Sequence, residues 1–211
     1  DHVAVVADLS ELAPAALGDM VVDEAGHAYV GSQDREGGVI IRIDPDNTAT
    51  VVAGDLEFPN GMVLTPDGST LIVAESTGRR LTAFTVDTDG LSGRRVFADG
   101  LEGPPDGLAL DVGGGVWTSL TLAHRFDRIL EGGTITDRVE TGGRVAIACA
   151  LGGHWSVGWP AGGRSCWPHT APSGPTTCTN RMYAWLGAAR ARQASVTGTI
   201  SPGRNGPAGS A

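Results

Sequence analysis

Residues 58–75, with the sequence FPNGMVLTPDGSTLIVAE, contain two apolar runs separated by a Pro-Asp-Gly turn. Val, Leu and Ile dominate both runs, and Pro66, Asp67 and Gly68 supply the backbone angles of a chain reversal. An apolar run on each side of such a turn is typical of a β-hairpin. The stretch therefore predicts two paired strands and no helix.

Imperfect copies of this stretch recur along the first 150 residues. They begin at Gly18, Asn60 and Asp106. Two further strand candidates follow each copy, at residues 39–43 and 50–53, 81–86 and 94–98, and 125–130 and 134–140. Four short strands in every 40–50 residues or so are typical of a β-propeller blade. We therefore predict an all-β, incomplete propeller with a little over three blades, preceded by a short strand at residues 3–7 and ending in a strand at 145–150.

The charge distribution divides the chain near residue 153. All 24 acidic residues lie at or before Glu140, whereas residues 154–211 contain no acid, five arginines and four of the five tryptophans. We predict a partial propeller over residues 1–153 and an irregular tail over 154–211. The tail is interpreted either as a disordered or partner-binding extension or as the product of a shifted reading frame. Residues 182–190 form a short helix candidate within it.

Composition excludes several classes of function. The net charge of −9 argues against a nucleic acid or an anionic membrane surface as partner. No apolar run approaches the roughly 18 residues of a membrane span, so a soluble protein is expected. Three unevenly placed cysteines are too few for a disulfide framework, which favours either a reducing compartment or indifference to redox state. A cytoplasmic location is expected. The sequence does not indicate an oligomeric state.

Asn60 and Asp106 hold the same position in two copies of the repeat. Because the first strand of each propeller blade lines the central channel, these residues are expected to converge there. Their oxygen atoms suit a hard cation such as Ca²⁺ or Mg²⁺. Alternatively, Asn-Gly and Asp-Gly are only turn dipeptides. Glu75, at the end of a hairpin strand, is interpreted as a structural carboxylate or one at the rim.

Several motifs together resemble the senescence marker protein/gluconolactonase/luciferin-regenerating enzyme family. They are FPNGM at 58–62, the turn at 66–68, IVAE at 72–75, PDGL at 105–108, VW at 116–117 and CALGG at 149–153. The resemblance covers roughly residues 1–153. It implies a six-bladed propeller that holds Ca²⁺, or another divalent cation such as Zn²⁺ or Mg²⁺, in its channel and hydrolyses a small-molecule sugar lactone.

The resemblance also assigns roles to single residues. It implies that Asn60 is a metal ligand and that Asp106 is both a metal ligand and the catalytic general base. Gly18 stands where the family usually has a substrate-contacting Asn, so Gly18 and Asp19 are the expected substrate-binding residues. The family's remaining protein ligand, a Glu, is expected upstream of Asp1. The chain is therefore expected to be truncated at its N-terminus.

Two functions follow from these assignments. One is a cation-dependent lactone hydrolase, in which the cation polarises the lactone carbonyl and Asp106 takes a proton from the attacking water. The missing Glu and the glycine at position 18 predict that this activity is impaired. The other is a non-catalytic propeller that serves as a binding scaffold.

Overall fold

The computed structural model describes residues 5–152, 181–187 and 194–195. This part of the chain is all-β apart from one 3-10 turn at Thr121–Ala123. The strands are β1 Leu17–Val22, β2 Ala28–Ser32, β3 Gly38–Ile43, β4 Ala49–Leu56, β5 Pro59–Leu64, β6 Thr70–Glu75, β7 Arg80–Asp87, β8 Gly90–Ala98, β9 Pro105–Leu110, β10 Val116–Leu120, β11 Arg125–Ile129, β12 Ile135–Glu140, β13 Val145–Gly152, β14 Arg181–Gly187 and β15 Ala194–Ser195.

The strands form four separate antiparallel sheets. Strands β1–β4, β5–β8 and β9–β12 make three four-stranded sheets, and β13–β15 make a three-stranded one. Within each sheet the strands follow one another in chain order. The first strands of successive sheets, β1, β5, β9 and β13, pack against one another in that order. This is the arrangement of propeller blades, so the predicted all-β, incomplete propeller is confirmed.

The structure differs from the sequence-based prediction in two places. Residues 5–7 form no strand, while the first two residues of that expected strand lie outside the described residues. Residues 182–187, the larger part of the helix candidate, belong to β14 and pair with β13. Tyr183 and Trp185 favour a strand, and β13 offers an edge on which one can form. The domain boundary at residue 153 and the origin of the tail stay predictions.

The hairpin turn at 66–68 is stabilised by the side chain of Asp67. Its carboxylate accepts hydrogen bonds from the Thr65 hydroxyl at 2.6 Å and from the Ser69 backbone N–H at 3.1 Å. These bonds, that from Thr65 first, lower the pKa of Asp67 to about 2. Gly68 has a φ of 69°, a left-handed conformation that glycine adopts at no steric cost. The predicted turn is therefore confirmed.

In the part of the chain that is described, no helix has the length and apolar character that crossing a membrane requires.

The hydrophobic core lies between the blades rather than within one of them. One cluster joins the first and second sheets, a second joins the second and third, and a small third joins β9–β11 to β13. Their largest members are Tyr29, Ile40, Leu56, Leu71 and Phe84 in the first; Ile72, Leu81, Phe97, Leu120 and Ile129 in the second; and Trp117 and Phe126 in the third. Each blade is thus held by its neighbours, as expected for a repeat architecture.

Glu75 is a fully buried carboxylate at the end of β6. Arg80 donates to it from Nε at 3.0 Å and from Nη2 at 2.7 Å, and the Glu57 backbone N–H donates at 2.7 Å. Thr82 and Arg94 also hydrogen-bond to it. Burial raises the pKa of Glu75, but the hydrogen bonds from Arg80, Thr82 and Glu57 outweigh that effect, so the pKa lies below its ordinary value. Glu75 is therefore structural, as interpreted from the sequence.

The Glu75→Gln substitution removes this buried charge and leaves Arg80 without its main partner. We expect a loss of about 3 kcal/mol in the free energy of unfolding at neutral pH. Because the folded-state pKa is lowered, the charge stabilises the fold fully above the ordinary pKa of 4.5, and this contribution is lost as the pH falls through the folded-state value. Urea unfolding followed by tryptophan fluorescence between pH 3 and 7 measures the difference.

Glu131→Gln is the matched control. Glu131 pairs with Arg95 at 2.8 Å, but its side chain is 55% exposed, so its loss should cost less than about 1 kcal/mol. A stability difference between wild type and the Glu75 variant that is the same at every pH would contradict the assigned role of the charge.

Candidate functional site at the inner-strand bulges

Each of the four inner strands is irregular at the same place. The regular pairing with the neighbouring strand is interrupted between Leu17 and Met20, between Pro59 and Met62, between Pro105 and Leu108, and between Ala146 and Ala148. A β-bulge disrupts the ladder locally and changes the direction of a side chain, and bulges are frequent beside active sites. The candidate residues at positions 18–19, 60 and 106 all lie within these bulges.

Two glycines allow neighbouring inner strands to approach closely at the bulges. A Cβ atom on Gly61 would overlap the carbonyl oxygen of Asp106 and lie 2.8 Å from the Cα of Gly107. A Cβ atom on Gly107 would lie 2.7 Å from the Cα of Ala148. Because backbone atoms cannot move aside as a flexible side chain can, both positions require glycine. These contacts bring the bulge of β5 directly against that of β9.

The side chain of Asn60 is held by two other polar side chains. Its Oδ1 accepts a hydrogen bond from Gln33 Nε2 at 3.1 Å, and its Nδ2 donates to the Ser76 hydroxyl at 3.3 Å. Ser76 in turn donates to the carbonyl oxygen of Pro105 at 2.6 Å. Asn60 is therefore fixed in a network that joins three blades rather than exposed on a solvated turn.

Asp106 is a half-buried carboxylate close to a second carboxylate, that of Asp19. Burial is the main cause that raises its pKa, and the negative charge of Asp19 adds to it, while a hydrogen bond from Asn60 acts in the opposite direction. Together they raise the pKa of Asp106 to about 6. Within the described ranges neither carboxylate forms an ion pair. The site thus concentrates negative charge that none of the described arginines neutralises.

Gln33 occupies the space next to Gly18. A Cβ atom on Gly18 would lie 2.5 Å from Gln33 Nε2 and 2.8 Å from Gln33 Cγ. A larger residue at position 18 would therefore displace the glutamine. The Gln33 amide fills this part of the site and contacts Asn60, so an amide side chain is present although position 18 has none.

Sequence reasoning missed Gln33 and Ser76. Both directly follow the second strand of their blade, and the backbone N–H of each donates to the residue before the inner strand, at 2.8 Å to the carbonyl oxygen of Ala16 and at 3.0 Å to that of Phe58. Thr121 makes the same bond, at 3.1 Å to Pro104. Gln33, Ser76 and Thr121 thus occupy the same position in the three repeats, and each is polar. An alignment of the copies could have identified this position.

Cys149 lies on β13, near Asp106, in surroundings that disfavour its thiolate form. Its thiol contacts the carbonyl oxygens of Gly107 at 3.6 Å and Trp117 at 3.4 Å. Burial, and to a lesser degree the charge of Asp106, raise the pKa of Cys149 to about 12. Since the thiolate is the reactive form, this cysteine is a packing residue and no nucleophile.

The oxygen atoms at the site are of the kind that Ca²⁺ and Mg²⁺ prefer. Asn60 and Asp106 supply an amide and a carboxylate oxygen, and Asp19 lies near enough to Asp106 to shift its pKa. The uncompensated charge is what a bound cation would neutralise. Among the described residues, however, no group of three or more His, Cys, Asp or Glu side chains is placed to hold a metal ion. The residues present therefore fit part of a cation site.

Comparison with known proteins gives consistent similarities. A family model described as SMP-30/Gluconolactonase/LRE-like region matches residues 2–156. The chain is 31% identical over 140 residues to a 6-deoxy-6-sulfogluconolactonase of Pseudomonas putida. The matched stretch covers 63% of this chain and 48% of that protein. It is 32% identical over 112 residues to a pentonolactonase of Haloferax volcanii, covering 50% of this chain and 38% of that protein.

The fold is also similar to that of a crystal structure. Regucalcin of Agrobacterium tumefaciens, described as a calcium-binding protein, superimposes with a TM-score of 0.61 at 25% identity, covering 69% of this chain and 52% of that chain. The chain thus spans about half the length, or less, of the proteins it matches.

The close approach of the inner strands makes Gly61→Ala destabilising. The added methyl group would overlap the Asp106 carbonyl, so we expect a loss of about 1–3 kcal/mol in the free energy of unfolding. Gly54→Ala is the control, because a Cβ atom there meets nothing within 4 Å. Thermal and urea unfolding measure both variants. Equal stability of the two would show that the strands are not in contact at this bulge.

Removing the charge of Asp19 should lower the pKa of Asp106. In Asp19→Asn the repulsion that favours the protonated form of Asp106 is absent, so its pKa falls below about 6. Titration of the Asp106 carboxyl carbon by NMR in the presence of a chelator measures this shift. Glu24→Gln, a charge removal in the exposed β1–β2 turn, serves as the control. An unchanged pKa in the Asp19 variant would assign the whole shift to burial.

Proposed function

The chain belongs to the SMP-30/gluconolactonase/LRE-like family, and from this premise we propose that it hydrolyses a sugar lactone or a related cyclic ester at Asp106 with the help of a divalent cation. The observation that carries the proposal is the convergence of Asn60 and Asp106 at adjacent bulges, with Asp106 half-buried and not neutralised. The sugar lactonases among the relatives support the substrate class.

Asn60 and Asp106 would hold the cation through their side-chain oxygens. Calcium is the first choice because regucalcin is described as calcium-binding, and Mg²⁺ or Zn²⁺ are alternatives. When bound, such a cation polarises the lactone carbonyl and stabilises the negative charge that develops on its oxygen. The remaining ligands come from water, substrate or residues outside the described part of the chain.

Asp106 would act as the general base. It accepts a proton from water as the water oxygen attacks the lactone carbonyl carbon. The bond between this carbon and the ring oxygen then breaks, and the ring oxygen takes up a proton, which leaves a hydroxy acid. Burial and the charge of Asp19 raise the pKa of Asp106 when no cation is bound. A bound cation would lower that pKa and so favour the carboxylate, which is the form that accepts the proton.

The remaining polar side chains would position Asn60 and the substrate. Gln33 and Ser76 hold the amide of Asn60 from two sides, which fixes the direction of its oxygen. Gly18 and Asp19 would contact the substrate from β1, and the Gln33 amide occupies the space that a side chain at position 18 would fill. We therefore propose Gln33, in addition to Gly18 and Asp19, as a substrate-contacting residue. A cytoplasmic location remains an expectation.

The second candidate function is that of a non-catalytic binding scaffold. It is favoured by the glycine at position 18, where the family usually has a substrate-contacting Asn. In that case the chain would bind a lactone or its hydroxy acid without hydrolysing it. A hydrolase with impaired activity would lie between the lactone hydrolase and the non-catalytic scaffold.

Hydrolysis of D-glucono-δ-lactone tests the proposal. With Ca²⁺ added, we expect Asp106→Asn to lower kcat/KM by about 100-fold or more, because the base and a cation ligand are lost together. Asn60→Ala should raise the Ca²⁺ concentration needed for half-maximal rate. Asp46→Asn, which removes an exposed acid from the β3–β4 turn, should leave the rate unchanged. A pH-stat records the acid that is released.

The outcomes separate the two functions. Equal rates for wild type and the Asp106 variant would remove the catalytic assignment. Saturable binding of the lactone without acid release would favour the scaffold. A hydrolysis rate that a chelator does not change would show that the reaction does not require a divalent cation.

A further inference from the structure

An open cleft of about 360 Å³ lies next to the candidate site. Its lining residues come from the loops before the inner strands β5 and β9 and from the loops that connect β2 to β3 and β6 to β7: Arg35, Phe58, Ser76, Thr77, Arg79 and Pro104. Ser76 belongs to both features, because it lines the cleft and its hydroxyl accepts the hydrogen bond from Asn60. Phe58 and Pro104 each lie two residues before a candidate cation ligand. The cleft therefore adjoins the site.

The two arginines of this cleft are exceptional in the described part of the chain. Of the ten arginines between residues 5 and 152, seven form ion pairs. The paired ones are Arg42, Arg80, Arg94, Arg95, Arg125, Arg128 and Arg138. The other three are Arg35, Arg79 and Arg144, and two of these line the same cleft. The cleft is thus lined by two guanidinium groups that form no ion pair with any described residue.

The backbone around the cleft is fixed in unusual conformations. Phe58 and Arg79 have positive φ angles of 60° and 50°, which bulky residues rarely adopt. The Phe58 N–H donates to the Asp34 carbonyl at 2.7 Å, and the Leu101 N–H donates to the Arg79 carbonyl at 3.0 Å. The Thr77 hydroxyl donates to the carbonyl of Arg35 at 3.1 Å. These bonds join the loops of neighbouring blades and hold the cleft open.

From these features we propose that Arg35 and Arg79 bind an anionic group of the substrate, such as a carboxylate, sulfonate or phosphate ester, while its lactone ring lies at Asn60 and Asp106. Guanidinium groups bind such anions through paired, charge-assisted hydrogen bonds. The inference rests on the proposed function and names its substrate class. Binding of the anion by the two arginines would also orient the substrate, with its lactone ring toward Asn60 and Asp106.

Binding of open-chain sugar acids tests the inference without any hydrolysis. The full chain is titrated calorimetrically, at low and constant ionic strength, with D-gluconate and with three relatives that carry an extra anion at carbon 6: 6-phosphogluconate, 6-deoxy-6-sulfogluconate and glucarate. We expect at least one of the three to bind about tenfold more tightly than gluconate. The one that binds most tightly identifies the anion as phosphate, sulfonate or carboxylate.

Three single substitutions locate the binding. Arg35→Gln and Arg79→Gln should each remove most of the preference for the extra anion and leave gluconate binding unchanged. Arg144→Gln is the matched control, since Arg144 is also exposed and outside any ion pair among the described residues but lies in the β12–β13 loop. Arg35→Lys should retain part of the preference. Circular dichroism checks that each variant is folded, and Arg35→Gln still decides the question if the Arg79 variant is not.

Two results would overturn the inference. In the first, none of the three anions binds more tightly than gluconate. In the second, the preference exists but survives in both Arg35→Gln and Arg79→Gln. Because the readout is binding of hydrolysis products and their analogues, a failure of lactone hydrolysis would count against the proposed function alone.

Discussion

The contact between the β5 and β9 bulges is the constraint on which the site depends. Gly61 lies against the backbone of Asp106, and this contact is possible only because Gly61 has no side chain. The same arrangement recurs one blade further on, where Gly107 lies against Ala148. With the backbones this close, the residues before the two glycines, Asn60 and Asp106, come together. The geometry of the candidate site is thus a result of how the blades pack, and not of the loops around them.

Buried carboxylates elsewhere in the described fold are paired with arginines, whereas the carboxylate of Asp106 is not. Glu75, Asp111 and Asp127 are buried, and each is neutralised by one or two arginines. Asp106 is instead placed beside another carboxylate, and its pKa is raised while those of Glu75 and Asp111 are lowered. A fold that pairs its structural carboxylates this regularly leaves a carboxylate unpaired at a cost in stability, which is the pattern expected at functional sites.

The sequence repeat was sufficient to predict the blades but not the details of the site. Each strand within residues 17–140 matches an apolar run next to a turn, because the blades are local units built from neighbouring hairpins. Asn60 and Asp106 could be paired because they share a position in the repeat. Gln33 could not be connected with Gly18 or Asn60, since their contacts join different strands. The helix expected at residues 182–190 was wrong over β14, because Tyr183 and Trp185 favour a strand and β13 offers an edge for pairing, a contact that the local sequence does not reveal.

The distribution of arginines follows from the same contrast between paired and unpaired charges. Most arginines in the propeller neutralise buried or rim carboxylates, so they contribute to the fold and are not available to a ligand. Arg35 and Arg79 lie on loops whose backbones are held by bonds between blades, and nothing in the described fold requires their charge. The cleft therefore offers two arginines next to the site of Asn60 and Asp106. A neutral ligand would gain little from these arginines, whereas an anionic substituent on a lactone would bind to them and orient the ring toward Asp106.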